Sequence, residues 1–177
     1  IVLIGVLSLF LAYGYTGGPF PLAYKGLGDL FVILFFGLIA VGGTYYLHAQ
    51  TLSEGALVAG LQIGLLATVL IAINNLRDHA QDAVAGKKTL AVRFGIGFAR
   101  FEILLLTVAP FAIGWYWFAQ GNRYAAITPL FAIPIARRIL FGVFTTAPSA
   151  AYNHFLLLAA LLHIFFGAAL TVALWMG

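Results

Sequence analysis

Apolar runs of about twenty residues recur along this chain with only short polar breaks between them, and a run of that length crosses a hydrocarbon core of roughly 30 Å when helical. No other feature restricts the fold as much. The bilayer interior has no water to satisfy a peptide N–H or C=O, so the backbone must bond to itself, which a continuous apolar run does as an α-helix. Six runs are read, at residues 1–13, 28–47, 56–74, 98–119, 123–141 and 154–176. Composition agrees: 63% of residues are hydrophobic and 8% charged, against roughly one quarter charged in a soluble domain, and mean hydropathy is +1.06. The runs also lack the polar faces that a water-soluble bundle needs. The expected fold is all-α, a multi-span transmembrane helical bundle in a lipid bilayer, forming a single domain over residues 1–177.

The first run is short, no basic stretch precedes it, and the chain opens inside it at Ile1. That pattern is not a signal peptide; the expectation is part of a larger bundle. Cysteine is absent, which removes disulfides and thiolate metal sites. The net charge of +4 does not indicate nucleic acid, because the basic residues sit at the ends of apolar runs and not along one polar face. They report topology instead. With six alternating spans, eight of the nine Lys and Arg residues fall on one side, and only Arg123 lies opposite. Positive residues are retained in the cytoplasm, so the loops around Lys25 and residues 75–97 are expected there, with the C-terminus outside. Within the runs, Gly37, Gly42, Gly43, Gly60 and Gly64 are expected to let helix backbones approach closely.

One loop concentrates the charge. Residues 75–97 hold Arg77, Asp78, Asp82, Lys87, Lys88 and Arg93. If the preceding helix continues outward, Asp78 and Asp82 share one face. Two carboxylates there repel each other unless a cation joins them, and hard oxygen ligands suit Mg2+, which keeps waters and takes substrate phosphates as further ligands. Asn74 and Asn75 carry the polar face back toward the membrane, where an amide needs a partner or a wet cavity. Downstream, Gly86 and Gly95 free the backbone at either end of a basic stretch. Its Arg93 can grip phosphate in a fork, and Lys87 and Lys88 act as point charges or interfacial anchors. Carboxylates, cations and a membrane edge together describe a site for an anionic head on an apolar tail, as in a prenyl diphosphate. His79, between the aspartates but off their face, reads as a surface residue, and His48, His154 and His163 show no zinc spacing.

The stretch Asn74-Asn75-Leu76-Arg77-Asp78-His79-Ala80-Gln81-Asp82, followed by Gly86-Lys87-Lys88-Thr89-Leu90-Ala91-Val92-Arg93-Phe94-Gly95, resembles the second aspartate-rich motif of the UbiA superfamily of intramembrane prenyltransferases. Tyr15-Thr16-Gly17-Gly18-Pro19, Lys25-Gly26-Leu27-Gly28-Asp29 and Phe35-Phe36-Gly37 running into Gly42-Gly43-Thr44-Tyr45-Tyr46 resemble its menaquinone branch in particular. The resemblance implies a nine-helix fold, of which this chain covers about the last two thirds; the first motif and roughly three helices lie outside it, and the chain alone is expected to be inactive. It further implies transfer of a polyprenyl group from a polyprenyl diphosphate to 1,4-dihydroxy-2-naphthoate in a bacterial inner (plasma) membrane. Asp78 and Asp82 would be the catalytic, Mg2+-holding pair. Lys87, Arg93, Lys25, Asn74 and Asn75 would bind the diphosphate, and Tyr15 and Arg77 would line the pocket.

Other readings exist. A phytyl or 4-hydroxybenzoate prenyltransferase of the same superfamily would share the aspartates and differ in the acceptor pocket. A transporter would place its charges at the bilayer midplane, and a non-catalytic assembly subunit would need no complete site.

Overall fold

The structure, a computed structural model, describes residues 5, 6, 9, 10, 13, 14 and 25–177, and every regular element among them is helical. Five helices are long and apolar enough to cross a membrane: α1 (Gly28–Ala49), α2 (Glu54–Arg77), α4 (Leu90–Ala119), α5 (Arg123–Thr145) and α6 (Tyr152–Met176). A short helix, α3 (His79–Val84), lies between α2 and α4. The chain is an integral membrane protein. Of the expected first span, residues 5, 6, 9, 10 and 13 are helical, and the rest lies outside the described residues.

Local chemistry explains the boundaries. Ser53 caps α2 by accepting the Ala56 N–H at 3.0 Å, with Glu54 in the first turn where a carboxylate meets the positive end of the helix. Asn122 caps α5 in the same way through the Ala125 N–H at 2.9 Å. α5 narrows to a 3-10 segment at Thr128–Ala132, where Pro129 cannot donate a helical bond. In α1, residues Ile33–Gly42 wind in wider π-type turns.

The bundle is organised around α2, which packs against α1, α4 and α6. Leu66, Val69, Ile73 and Leu76 of α2, Ile103 of α4, Ile139 of α5 and Leu162 and Phe166 of α6 are buried together. Phe36, Trp115, Phe131 and Trp175 face outward, as lipid-facing side chains do. The expected glycine packing is present at the α1–α2 crossing. A Cβ on Gly37 would lie 2.5 Å from the Gly60 carbonyl oxygen and 2.8 Å from the Gly64 Cα, and one on Gly64 would lie 2.7 Å from the Ile33 carbonyl oxygen. Gly43 differs from the others, since a Cβ there meets nothing within 4 Å.

One polar cluster enters this core. Gln62, fully buried, donates to the Pro110 carbonyl at 2.7 Å and accepts the Trp117 indole N–H at 2.8 Å. The amide is thus satisfied from two turns of α4 without water, which is the condition for burying it.

Replacing Gly37 or Gly64 by leucine should separate α1 from α2 and destabilise the solubilised protein by about 1–3 kcal/mol, the usual cost of overpacking, whereas Gly43→Ala should be neutral. Thermal unfolding in detergent measures both, and an unchanged midpoint for Gly64→Leu would contradict the crossing.

Candidate functional site

α2 carries the polar run out of the bundle and stops one residue short of the first aspartate. Asp78 sits at the junction with φ −96° and ψ 5°, and α3 begins at His79. The expectation of one continuous helix through both aspartates is thereby corrected. Neighbouring side chains on a regular helix diverge, so Arg77 can grip Asp78 only because the helix breaks there. The one-turn spacing survives, since the Asp82 N–H donates to the Asp78 carbonyl at 2.8 Å.

Each carboxylate already has a cation. Arg77 holds Asp78 in a fork, Nε to Oδ1 and Nη2 to Oδ2, both at 2.7 Å. Lys87 Nζ lies 2.7 Å from Asp82 Oδ1, whose side chain is only 7% exposed. Backbone geometry delivers that lysine. Gly86, at φ +74°, ends α3 in a Schellman turn, with the Lys87 N–H donating to the Asp82 carbonyl at 2.9 Å and the Gly86 N–H to Ala83 at 3.2 Å. The repulsion expected between the aspartates is relieved by these two internal partners. Arg77 also donates to Asn74 Oδ1 at 2.7 Å and to Asn153 Oδ1, at the start of α6, at 2.6 Å.

A second group of cations is assembled by the segment before α1. Arg93 Nη2 donates to the Lys25 carbonyl at 2.8 Å. Gly26, at φ +72°, passes so close to the loop that a Cβ would lie 2.6 Å from the Lys88 carbonyl oxygen and 3.4 Å from Arg93 Nε. Lys25, Lys88 and Arg93 thus belong to one surface. Thr89 caps the following helix by accepting the Val92 N–H. Gly95, at φ 82° and ψ 175°, then breaks α4 in a conformation almost confined to glycine. Phe94 and Phe98 straddle the break, exposed, with ring centroids 4.8 Å apart.

Of the residues expected from sequence, Asn74, Arg77 and Asp78 share one hydrogen-bonded cluster, Lys87 pairs with Asp82, and Arg93 bonds the Lys25 backbone carbonyl. Asn75 is half-buried on α2, and Tyr15 lies outside the described residues. Reading the sequence missed Asn153, which joins the Arg77 cluster, and passed over three polar residues within the spans, Arg100, Asp29 and Glu102. Arg100 Nη2 donates to the Thr146 carbonyl at 2.9 Å. Asp29 is buried with one carboxylate oxygen unpartnered among the described residues, and Glu102 is half-buried within α4. A glutamate inside an apolar run was the available signal. His79 is half-buried.

No group of three or more His, Asp or Glu able to enclose a metal occurs among the described residues. The donor set is two hard carboxylates one turn apart, which suits an ion that completes its shell with waters and phosphate oxygens. A cavity of about 790 Å³ opens at the opposite end of the bundle, around Gln120, Arg123, Tyr124 and Phe131; no carboxylate side chain lines it, so it is not part of this site.

The profile of the UbiA prenyltransferase family matches residues 1–161 of the chain. A 1,4-dihydroxy-2-naphthoate octaprenyltransferase of Haemophilus influenzae is 41% identical over 150 residues, 82% of this chain and 48% of that protein. One of Escherichia coli is 43% identical over 106 residues, 59% of this chain and 34% of the relative. A 2-carboxy-1,4-naphthoquinone phytyltransferase of Synechocystis is 35% identical over 106 residues, 60% and 34% of the two chains. The chain spans about half the length, or less, of these curated relatives. No solved structure matches it significantly.

The Arg77 fork holds the Asp78 carboxyl below the usual aspartate range. A lowered carboxylate pKa stabilises the fold above the unfolded value and ceases to as pH falls through the folded one. Native protein should therefore lose stability on acidification below about pH 3.9, the ordinary aspartate value, and Asp78→Asn should lose less over that window. Identical pH profiles of thermal unfolding would contradict the pairing.

Proposed function

The chain belongs to the UbiA prenyltransferase family, and from that premise we propose that the full-length protein transfers a polyprenyl group from a prenyl diphosphate to 1,4-dihydroxy-2-naphthoate, releasing CO2 and diphosphate and giving the hydroquinone form of demethylmenaquinone. One observation carries the reading: the second aspartate motif and the segments bearing Lys25, Lys87, Lys88 and Arg93 meet at a single end of the bundle. An anionic head fits there while its tail lies among apolar helices. Naphthoate as the acceptor is supported by the names and identities of the relatives. The Synechocystis relative favours one alternative, a phytyl donor with the same site.

Asp78 and Asp82 are the residues to hold Mg2+, which when bound would neutralise charge on the diphosphate. Arg93, Lys25 and Lys87 stabilise the negative charge that grows on the diphosphate as the allylic C–O bond breaks and its electron pair departs with the leaving group. The naphthoate ring carbon that bears the carboxylate then bonds to the allylic carbon. The ring–carboxylate bond breaks, its electrons return to the ring, and CO2 leaves. Asn74 and Asn75 border the pocket, and the surrounding apolar helices keep water from the allylic cation. The positive loops face the cytoplasm of a bacterial inner membrane, with the C-terminus outside.

The test is prenyl transfer in membranes carrying the full-length protein, with dihydroxynaphthoate, a polyprenyl diphosphate, and either Mg2+ or EDTA. Asp78→Asn and Asp82→Asn should each lower the rate about a hundredfold or more, the scale expected when a transition-state charge contact is lost, and EDTA should abolish product. Native rates in both variants would remove the aspartates from the site. Absence of product with every aromatic acceptor would remove the enzymatic reading.

A further inference from the structure

Arg77 is the point where the end of α2 is joined to the last helix. Its guanidinium uses Nε and Nη2 on Asp78, Nη2 again on Asn74, and Nη1 on Asn153 Oδ1 at 2.6 Å. Asn74 and Asp78 are its sequence neighbours and move with it. Asn153 is 76 residues away and belongs to another helix. A guanidinium is planar, so fixing Nη1 from outside fixes the plane of the fork, and the fork in turn fixes the rotation of the carboxylate it grips.

Asn153 is exposed, but the turn that carries it is anchored. Its neighbour Tyr152 is fully buried, and the Tyr152 hydroxyl donates toward the Val143 and Thr146 carbonyls at 3.2 and 3.1 Å. The Thr146 carbonyl also receives Arg100 from α4. The start of α6 is therefore tied to α4 and α5, and Asn153 projects from that tie toward Arg77.

We infer that Asn153 is a positioning residue of the aspartate site: through Arg77 it sets the orientation in which Asp78 is presented to the metal and the diphosphate. The inference rests on the proposed function for what Asp78 binds. The contact itself requires only an acceptor at the Oδ1 position, which the substitution Asn153→Asp retains and Asn153→Leu removes at similar volume.

The experiment is thermal stabilisation of the purified full-length protein by Mg2+ at a fixed concentration of inorganic diphosphate, read as the Mg2+ concentration giving half the shift. Asn153→Leu should raise that concentration about tenfold, the scale of losing a residue that orients a metal ligand, with little change in midpoint when ligand is absent. Asn153→Asp should restore the native value. In Arg77→Gln, adding Asn153→Leu should have no further effect, because both act through one contact. A native Mg2+ requirement in Asn153→Leu overturns the inference alone. Absence of any Mg2+ response in the native protein overturns the site reading and the inference with it.

Discussion

Helices in a bilayer gain little by hiding apolar surface from one another, since lipid is as apolar as leucine, so contact must come from close packing. In this protein that requirement is met along α2. Gly60 and Gly64 let the backbone of α1 lie against it, while Leu66, Ile73 and Leu76 are enclosed by the other helices. A helix held on so many sides has little freedom at its end, and the charged loop begins there. The rigidity of the site is inherited from a stripe of small and branched side chains several turns away.

The loop resolves a conflict between charge and membrane edge. Two carboxylates one turn apart would be unfavourable alone, and Arg77 and Lys87 neutralise them within the same short segment. Lys25, Lys88 and Arg93 add further positive charge to the same surface. Two glycines make the arrangement possible: Gly86 turns the chain so that Lys87 meets Asp82, and Gly26 lets the segment before α1 approach the Lys88 backbone.

Much of this was legible in sequence, for physical reasons. Span length and hydropathy are properties of a contiguous run, so four of the five described spans could be placed within a few residues. The aspartate spacing and the two loop glycines are equally local. Three features were not. The break at Asp78 is a single residue wide, too short for periodicity to report. α4 begins at Leu90, eight residues before the expected start at Phe98, because Arg93, Gly95 and Gly97 interrupt the apolar run there. Asn153 acquires meaning only from Arg77, 76 residues away, a distance over which no periodicity speaks.

Phe94 and Phe98, paired across the Gly95 break and exposed, project from the first turns of α4, a helix long and apolar enough to cross a membrane. Arg93, one residue before the first ring, is hydrogen-bonded to the Lys25 backbone. The segment before α1 and the first turn of α4 therefore share one anchor, with the exposed rings beside it. A displacement of that first turn would carry the Lys25 backbone with it, so two stretches of chain 68 residues apart move as one.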